Sequence, residues 1–241
     1  LQKTTNGRTT TTVLPHHARG ILFDIDGTLA DSWKLGYEAT NVVLQQHQIS
    51  PISAELYHSH TRYATPERFA RHAGLLPTDS NFARTGQQLG QEFDELYVEL
   101  VTTKTAGYYA GITELLTLLQ TTPRRGGNTN NSSSCSSTVK LGALTNACVA
   151  YAHAVLKIND ATIQNANNAE STTLSLYPSF VTIHGADTVA EPKPSPVGLL
   201  QCCHELQLRP HDECLYIGDS PSDALAGTYL VSRSETVSRD C

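Results

Sequence analysis

FDIDGTLADS, residues 23–32, closes the apolar run Ile21-Leu22-Phe23 with two aspartates one residue apart and then turns on Gly27-Thr28. In an extended strand residues i and i+2 project to one side, so Asp24 and Asp26 can face a common point at the strand's carboxyl end. Two neighbouring carboxylates resist simultaneous ionisation unless a cation stands between them or one keeps its proton. Either state is chemically useful: one acid serves as nucleophile or metal ligand, the other as proton donor. Gly27-Thr28 permits a sharp turn and offers amide donors to an anion. A DxDG pattern alone also fits a calcium loop or an ordinary turn, so its meaning depends on the rest of the chain.

Residues 20–25 read as a short buried strand, because a continuous apolar run bounded by turn signals suits the interior of a parallel sheet. Residues 139–144, Phe180–His184 and Cys214–Ile217 repeat the pattern, with helical segments between them. Ile112, Leu115, Leu116 and Leu119 fall at i, i+3, i+4 and i+7, one apolar helix face. Ser195-Pro196 opens another helix. Alternation of this kind indicates an α/β fold, a doubly wound, Rossmann-like parallel sheet. The first and second strands lie far further apart than a crossover requires, so residues 33–103 are expected to form an inserted α-helical unit. Helices are expected over 33–48, 66–73 and 91–101, with Phe93, Leu96, Tyr97 and Leu100 as a core-facing stripe. The α/β core would then be residues 20–32 and 104–241. The polar tracts 121–138 and 158–175 are expected to be loops, and 231–237 a short edge strand.

The other strand ends decide what the aspartates mean. Thr145 and Asn146 follow residues 139–144, Lys193 stands between two prolines after Phe180–His184, and Gly218-Asp219-Ser220-Pro221-Ser222-Asp223 follows Cys214–Ile217. Each has a plain explanation as a turn, a loop or a helix cap. Together they bring carboxylates, a hydroxyl, an amide and an ammonium to the edge of the sheet where open α/β folds bind ligands.

In that combination the sequence resembles the haloacid dehalogenase-like (HAD) hydrolase superfamily. FDIDGTLADS, ALTNA, EPKPSP and YIGDSPSD look like its four motifs, and the insertion resembles its small helical cap domain. The pattern is closest to phosphoglycolate-phosphatase-like enzymes. The resemblance implies a phosphatase acting on a small phosphate ester through an aspartyl-phosphate. Asp24 would be the nucleophile and Asp26 the general acid and base. Mg2+ would be held by Asp24, the backbone carbonyl of Asp26 and Asp219, with Asp223 supporting. Thr145, Asn146 and Lys193 would bind the phosphoryl oxygens. An acid at position 26 favours phosphoryl transfer over dehalogenation, whose halide leaving group needs no proton. A phosphosugar mutase keeps both acids and is an alternative, as is a catalytically idle binding protein on this fold. Arg62, in the insertion, is the candidate to pair with a substrate carboxylate. His58, His60 and His72 are read as non-ligands beside a carboxylate magnesium site.

Bulk properties narrow the field. A formal charge of −6 without a basic stripe argues against nucleic acid as a partner. No apolar run approaches a membrane span. The six cysteines show no metal-ligand spacing and are read as reduced thiols, with a cytoplasmic location expected. Residues 1–19 are polar and Thr-rich, read as a flexible tail or, alternatively, as a remnant of an organelle transit peptide. A monomer or homodimer is expected.

Overall fold

The computed structural model describes residues 18–121, 138–166, 175–209 and 213–232. Four parallel strands form the central sheet in the order β5-β4-β1-β6: β1 (Gly20–Phe23), β4 (Lys140–Leu144), β5 (Phe180–His184) and β6 (Cys214–Ile217). All four expected strands form, each shifted by two residues or fewer at either end. β1 lies between β4 and β6, and its four residues are all buried. Alternate side chains serve opposite faces: Ile21 and Phe23 join one apolar cluster and Leu22 the other. The first cluster takes in Tyr151, Val155 and Leu156 of α6 (Val149–Ala166) and Leu116 of α5 (Ile112–Thr121). The second takes in Leu199, Cys202 and Cys203 of α7 (Val197–Glu205) and Ala226 of α8 (Pro221–Ser232). Helices therefore cover both faces of the sheet, the doubly wound arrangement. Cys148, Cys202, Cys203 and Cys214 are free thiols, the first three buried.

A two-stranded antiparallel ribbon, β2 (Ala30–Asp31) with β3 (Gly107–Tyr108), marks where the chain leaves the core and returns. Between its strands stand four helices: α1 (Trp33–Gln46), α2 (Ala54–His60), α3 (Thr65–His72) and α4 (Phe82–Glu99). α2 was not expected. It is capped by Ser53, whose side chain accepts from the Leu56 amide. α4 begins nine residues before the expected start, since Gly86 and Gly90 let it lie close against Pro66; a Cβ on Gly86 would stand 2.2 Å from the Pro66 carbonyl oxygen.

Three expectations need correction or lie elsewhere. The tract 158–175 is not a loop throughout: Ile158 to Ala166 continue α6, and 167–174 lie outside the described residues. Asn159 and Asp160 are satisfied by the fold, not by solvent. Asn159 accepts from the Tyr108 amide and donates to the carbonyls of Ala106 and Val155, while Asp160 accepts from the Leu176 amide and the Ser175 hydroxyl. Val231 and Ser232 end α8, so an edge strand does not start there; 233–237 lie outside the described residues. So does 122–137, the greater part of the other expected loop. Leu115, expected on the core face of α5, is 37% exposed, and Leu116 alone of that face is buried.

Candidate active site

Each carboxyl end of the sheet contributes a side chain to one cavity of about 380 Å3, closed over by α1, α2, α3 and α4. Asp24 follows β1, its amide donating to the Ile217 carbonyl (2.9 Å). Its Oδ1 accepts from its neighbour's amide, Ile25 N (2.8 Å), and from Lys193 Nζ (2.9 Å). Burial pushes the Asp24 carboxyl up to about 7; Lys193 opposes this, and Asp223 and Asp26 add repulsion.

Lys193 is 3% exposed and serves three partners. Its Nζ reaches Asp24 at 2.9 Å, Asp223 Oδ1 at 2.7 Å and the Tyr216 hydroxyl at 3.0 Å. Burial alone would lower its pKa, but attraction to Asp24 and Asp223 holds it above the ordinary lysine value. Asn146 fixes the loop that carries Lys193, donating from Nδ2 to its carbonyl (2.9 Å) and accepting its amide at Oδ1 (3.0 Å). The Asn146 side chain is thereby committed to the lysine's main chain.

Asp26 sits in a cage of hydroxyls. Ser32 and Tyr151 (2.6 Å) donate to its Oδ1, Tyr97 donates to the same oxygen at 3.1 Å, and Thr145 donates to Oδ2 at 3.3 Å. The rings of Tyr97 and Tyr151 stack, centroids 4.0 Å apart. Burial, with Asp26's charge, raises both phenols well above their usual range, so they remain protonated donors. Neither tyrosine was singled out as functional from the sequence. The available signal was a tyrosine in an otherwise apolar stripe, since a buried phenol needs a hydrogen-bond partner.

The acidic turn after β6 completes the floor. One carboxylate oxygen each from Asp24, Asp219 and Asp223 can lie within 4.8 Å of the others. Asp219 is exposed, and burial of the remainder with repulsion from Asp223 raises its pKa. Asp223 is buried and fully engaged: Oδ1 accepts from Lys193 and from Tyr216 (2.6 Å), Oδ2 from the Ser220 amide (2.9 Å) and hydroxyl (2.6 Å). Burial works against its ionisation, yet Lys193 and these donors bring its pKa below the ordinary value. Asp223 thus suits a supporting role, leaving Asp24 and Asp219 to face the cavity.

Gly27 makes this approach possible. It has φ +77°, and a Cβ there would stand 2.3 Å from Asp219 Oδ2. A cluster of oxygen donors in which burial pushes one acid up to about 7 and neighbouring carboxylates add repulsion fits a hard divalent cation such as Mg2+.

Arg62 lies at the rim of the cavity, exposed, with Nη2 donating to the Tyr63 hydroxyl at 2.9 Å. Tyr57, Arg68 and Phe93 also line the cavity, as does the exposed Trp33.

The fold and site define a class: a doubly wound α/β fold in which a buried aspartate follows an inner strand and lines a cavity beneath an inserted helical layer. The family model described as haloacid dehalogenase-like hydrolase matches residues 18–229. The chain belongs to that family. It is 27% identical over 219 residues to phosphoglycolate phosphatase of Chromobacterium violaceum, covering 87% of this chain and 80% of that one. Among solved structures it is similar to CbbY from Rhodobacter sphaeroides in complex with phosphate (TM-score 0.65, 20% identity, 89% of this chain and 83% of that one). A further form of CbbY, in complex with xylulose-(1,5)bisphosphate, matches with TM-score 0.65 at 19% identity, over the same shares. The haloacid dehalogenase-like family protein from Streptococcus pneumoniae has TM-score 0.60 at 18% identity, with 89% and 81% covered. No described helix is long and apolar enough to cross a membrane.

Proposed function

We propose that this hydrolase is a Mg2+-dependent phosphatase of small phosphate esters, working through an aspartyl-phosphate, with residues 33–103 as its cap. The observation that carries the reading is the buried Lys193, which ties Asp24 to Asp223 beside a second carboxylate cage around Asp26. Asp24 attacks phosphorus in line with the leaving oxygen, and the P–O bond to the alcohol breaks as the Asp24–P bond forms. Asp26, held by four hydroxyl donors, gives its proton to the departing alkoxide. It then takes one from the water that cleaves the acyl phosphate. Lys193 and Thr145, with the amides after β4, offset the charge on the equatorial oxygens. Asp24, Asp219 and the Asp26 carbonyl would hold Mg2+, which when bound neutralises the carboxylates and polarises the phosphoryl group.

The test is phosphate release from para-nitrophenyl phosphate. The wild type should turn over with Mg2+ and stop with EDTA. Asp24→Asn should lose at least about a thousandfold in kcat, as loss of a covalent nucleophile does. Activity of Asp24→Asn close to wild type would refute the nucleophile. Isomerised sugar phosphate in place of free phosphate would point to a mutase. As a working expectation, the enzyme is a cytoplasmic monomer or homodimer.

A further inference from the structure

We infer that Arg68, not Arg62, anchors a second anionic group of the substrate, a carboxylate or phosphate several bonds from the phosphoryl group held at Asp24. The inference rests on the phosphatase reading and adds to it the shape and charge of the substrate. Three arginines lie within residues 62–71. Arg71 spends Nε and Nη2 on Glu67 Oε1 (2.9 and 2.7 Å), and Arg62 donates to the Tyr63 hydroxyl. Arg68 has a buried Nε with no hydrogen-bond partner, and it forms no ion pair with any described residue. Its surroundings hold the guanidinium plane without satisfying it: Cζ lies 5.0 Å from the Phe93 centroid, 5.7 Å from Tyr57 and 5.8 Å from Phe69. Aromatic faces attract the cation and accept no directed pair of N–H bonds, so the fork is left for a planar or tetrahedral oxyanion.

Arg68 lines the same cavity as Asp24 and Asp26. Two rings stand between it and Asp26: Phe93 stacks on Tyr97 at 4.8 Å, and the Tyr97 hydroxyl reaches Asp26 at 3.1 Å. The cavity therefore holds Asp24, Asp26, Asp219 and Lys193 at the sheet and Arg68 on α3, with two rings between Arg68 and Asp26. Asp94 on α4 feels the charge of Arg68, yet the two form no ion pair, so it competes for the guanidinium only at a distance.

The experiment compares kcat/KM for matched esters with and without the distal anion. One pair is phosphoglycolate against 2-hydroxyethyl phosphate; the other is a pentose 1,5-bisphosphate against the pentose 5-phosphate. The two pairs tell a carboxylate tail from a phosphate tail. Arg68→Gln should cut the preference for the anionic member of one pair by about tenfold or more, chiefly through KM, and Arg68→Lys should recover part of it. Arg71→Gln, whose partner lies outside the cavity, should leave the preference as in wild type. If folded Arg68→Gln keeps the wild-type preference in both pairs, the anchor is wrong. Should Arg68→Gln not fold, inhibition of the wild type decides. Phosphonoacetate should then inhibit hydrolysis of para-nitrophenyl phosphate about tenfold more strongly than methylphosphonate, and equal inhibition overturns the assignment. A wild type that releases phosphate from no ester, para-nitrophenyl phosphate included, refutes the phosphatase reading itself and takes the anchor with it.

Discussion

Asp26 receives four hydroxyl donors while Asp24 receives one amide and one ammonium, a difference that suits the two roles proposed for them. A carboxylate caged by rotatable hydroxyls can exchange a proton and keep its place, since each hydroxyl both donates and accepts. Asp24, bound to Lys193 and the Ile25 amide, is instead held in one direction, as the proposed attack requires. Asp26→Asn should therefore act unequally on the two half-reactions. Nitrophenolate leaves without a proton, so with para-nitrophenyl phosphate the variant should show a burst of nitrophenol followed by slow turnover, slower by about 10²–10⁴. Stopped-flow absorbance checks it; a steady trace without a burst would mean that the first step also depends on Asp26.

At the scale of elements, the turn after β1 needs a positive φ, and the contact of α2 with α3 buries a histidine. Gly27→Ala should cost about 1–2 kcal/mol from the positive φ alone. It should also weaken Mg2+ binding, because the new methyl would displace Asp219. Calorimetric titration with Mg2+ against wild type measures the second effect, which an unrelated stability loss would not produce. Where α2 meets α3, His72 is 6% exposed, stacked on His60 (4.9 Å) and Tyr57 (6.5 Å), with a bare Nε2. Burial, with Arg68 and His60 nearby, lowers its pKa from 6.5 to about 3. The folded state thus keeps it neutral where the unfolded chain takes up a proton, so its contribution is whole above pH 6.5 and is lost as pH falls toward 3. Relative to His72→Phe, wild-type stability should drop by up to about 1.4 kcal/mol for each pH unit below 6.5. Urea unfolding at pH 7, 6 and 5 gives the comparison, and parallel curves would refute it.

For the whole molecule, the acidic floor beneath the α1–α4 layer links ligand binding to folding. A cation bound only by the native state stabilises it by about 2.7 kcal/mol at one hundred times its dissociation constant. Mg2+ should raise the melting temperature of wild type more than that of Asp219→Asn. Trp33, the sole tryptophan, 43% exposed and lining the cavity, should report substrate or phosphate binding by its fluorescence. Equal melting shifts in both proteins would place the cation elsewhere.

The four strands and the residues at their ends were legible in the sequence because the signals are local. An apolar run such as Ile21-Leu22-Phe23 needs a sheet with both faces covered, and a Gly-Asp turn after it needs no distant partner to be recognised. The reach of α6 through Ile158–Ala166 was not legible, since Asn159 and Asp160 look like loop residues until Tyr108, Ala106 and Leu176 supply their partners. The same holds at the site. Asp24, Asp26, Lys193 and Asp219 declared themselves by type and spacing. That Tyr97 and Tyr151 cage Asp26 and that Asn146 holds the main chain of Lys193 depend on contacts across 47 to 125 residues of chain, and that Arg68 Nε is left without a partner is visible only in the fold. Sequence alone determined the sheet and the acids at its edge, because apolar burial and turn chemistry are written residue by residue. The tertiary structure decided how each acid is held and which cation faces the cavity, because hydrogen bonds between distant polar groups exist only once the chain has folded.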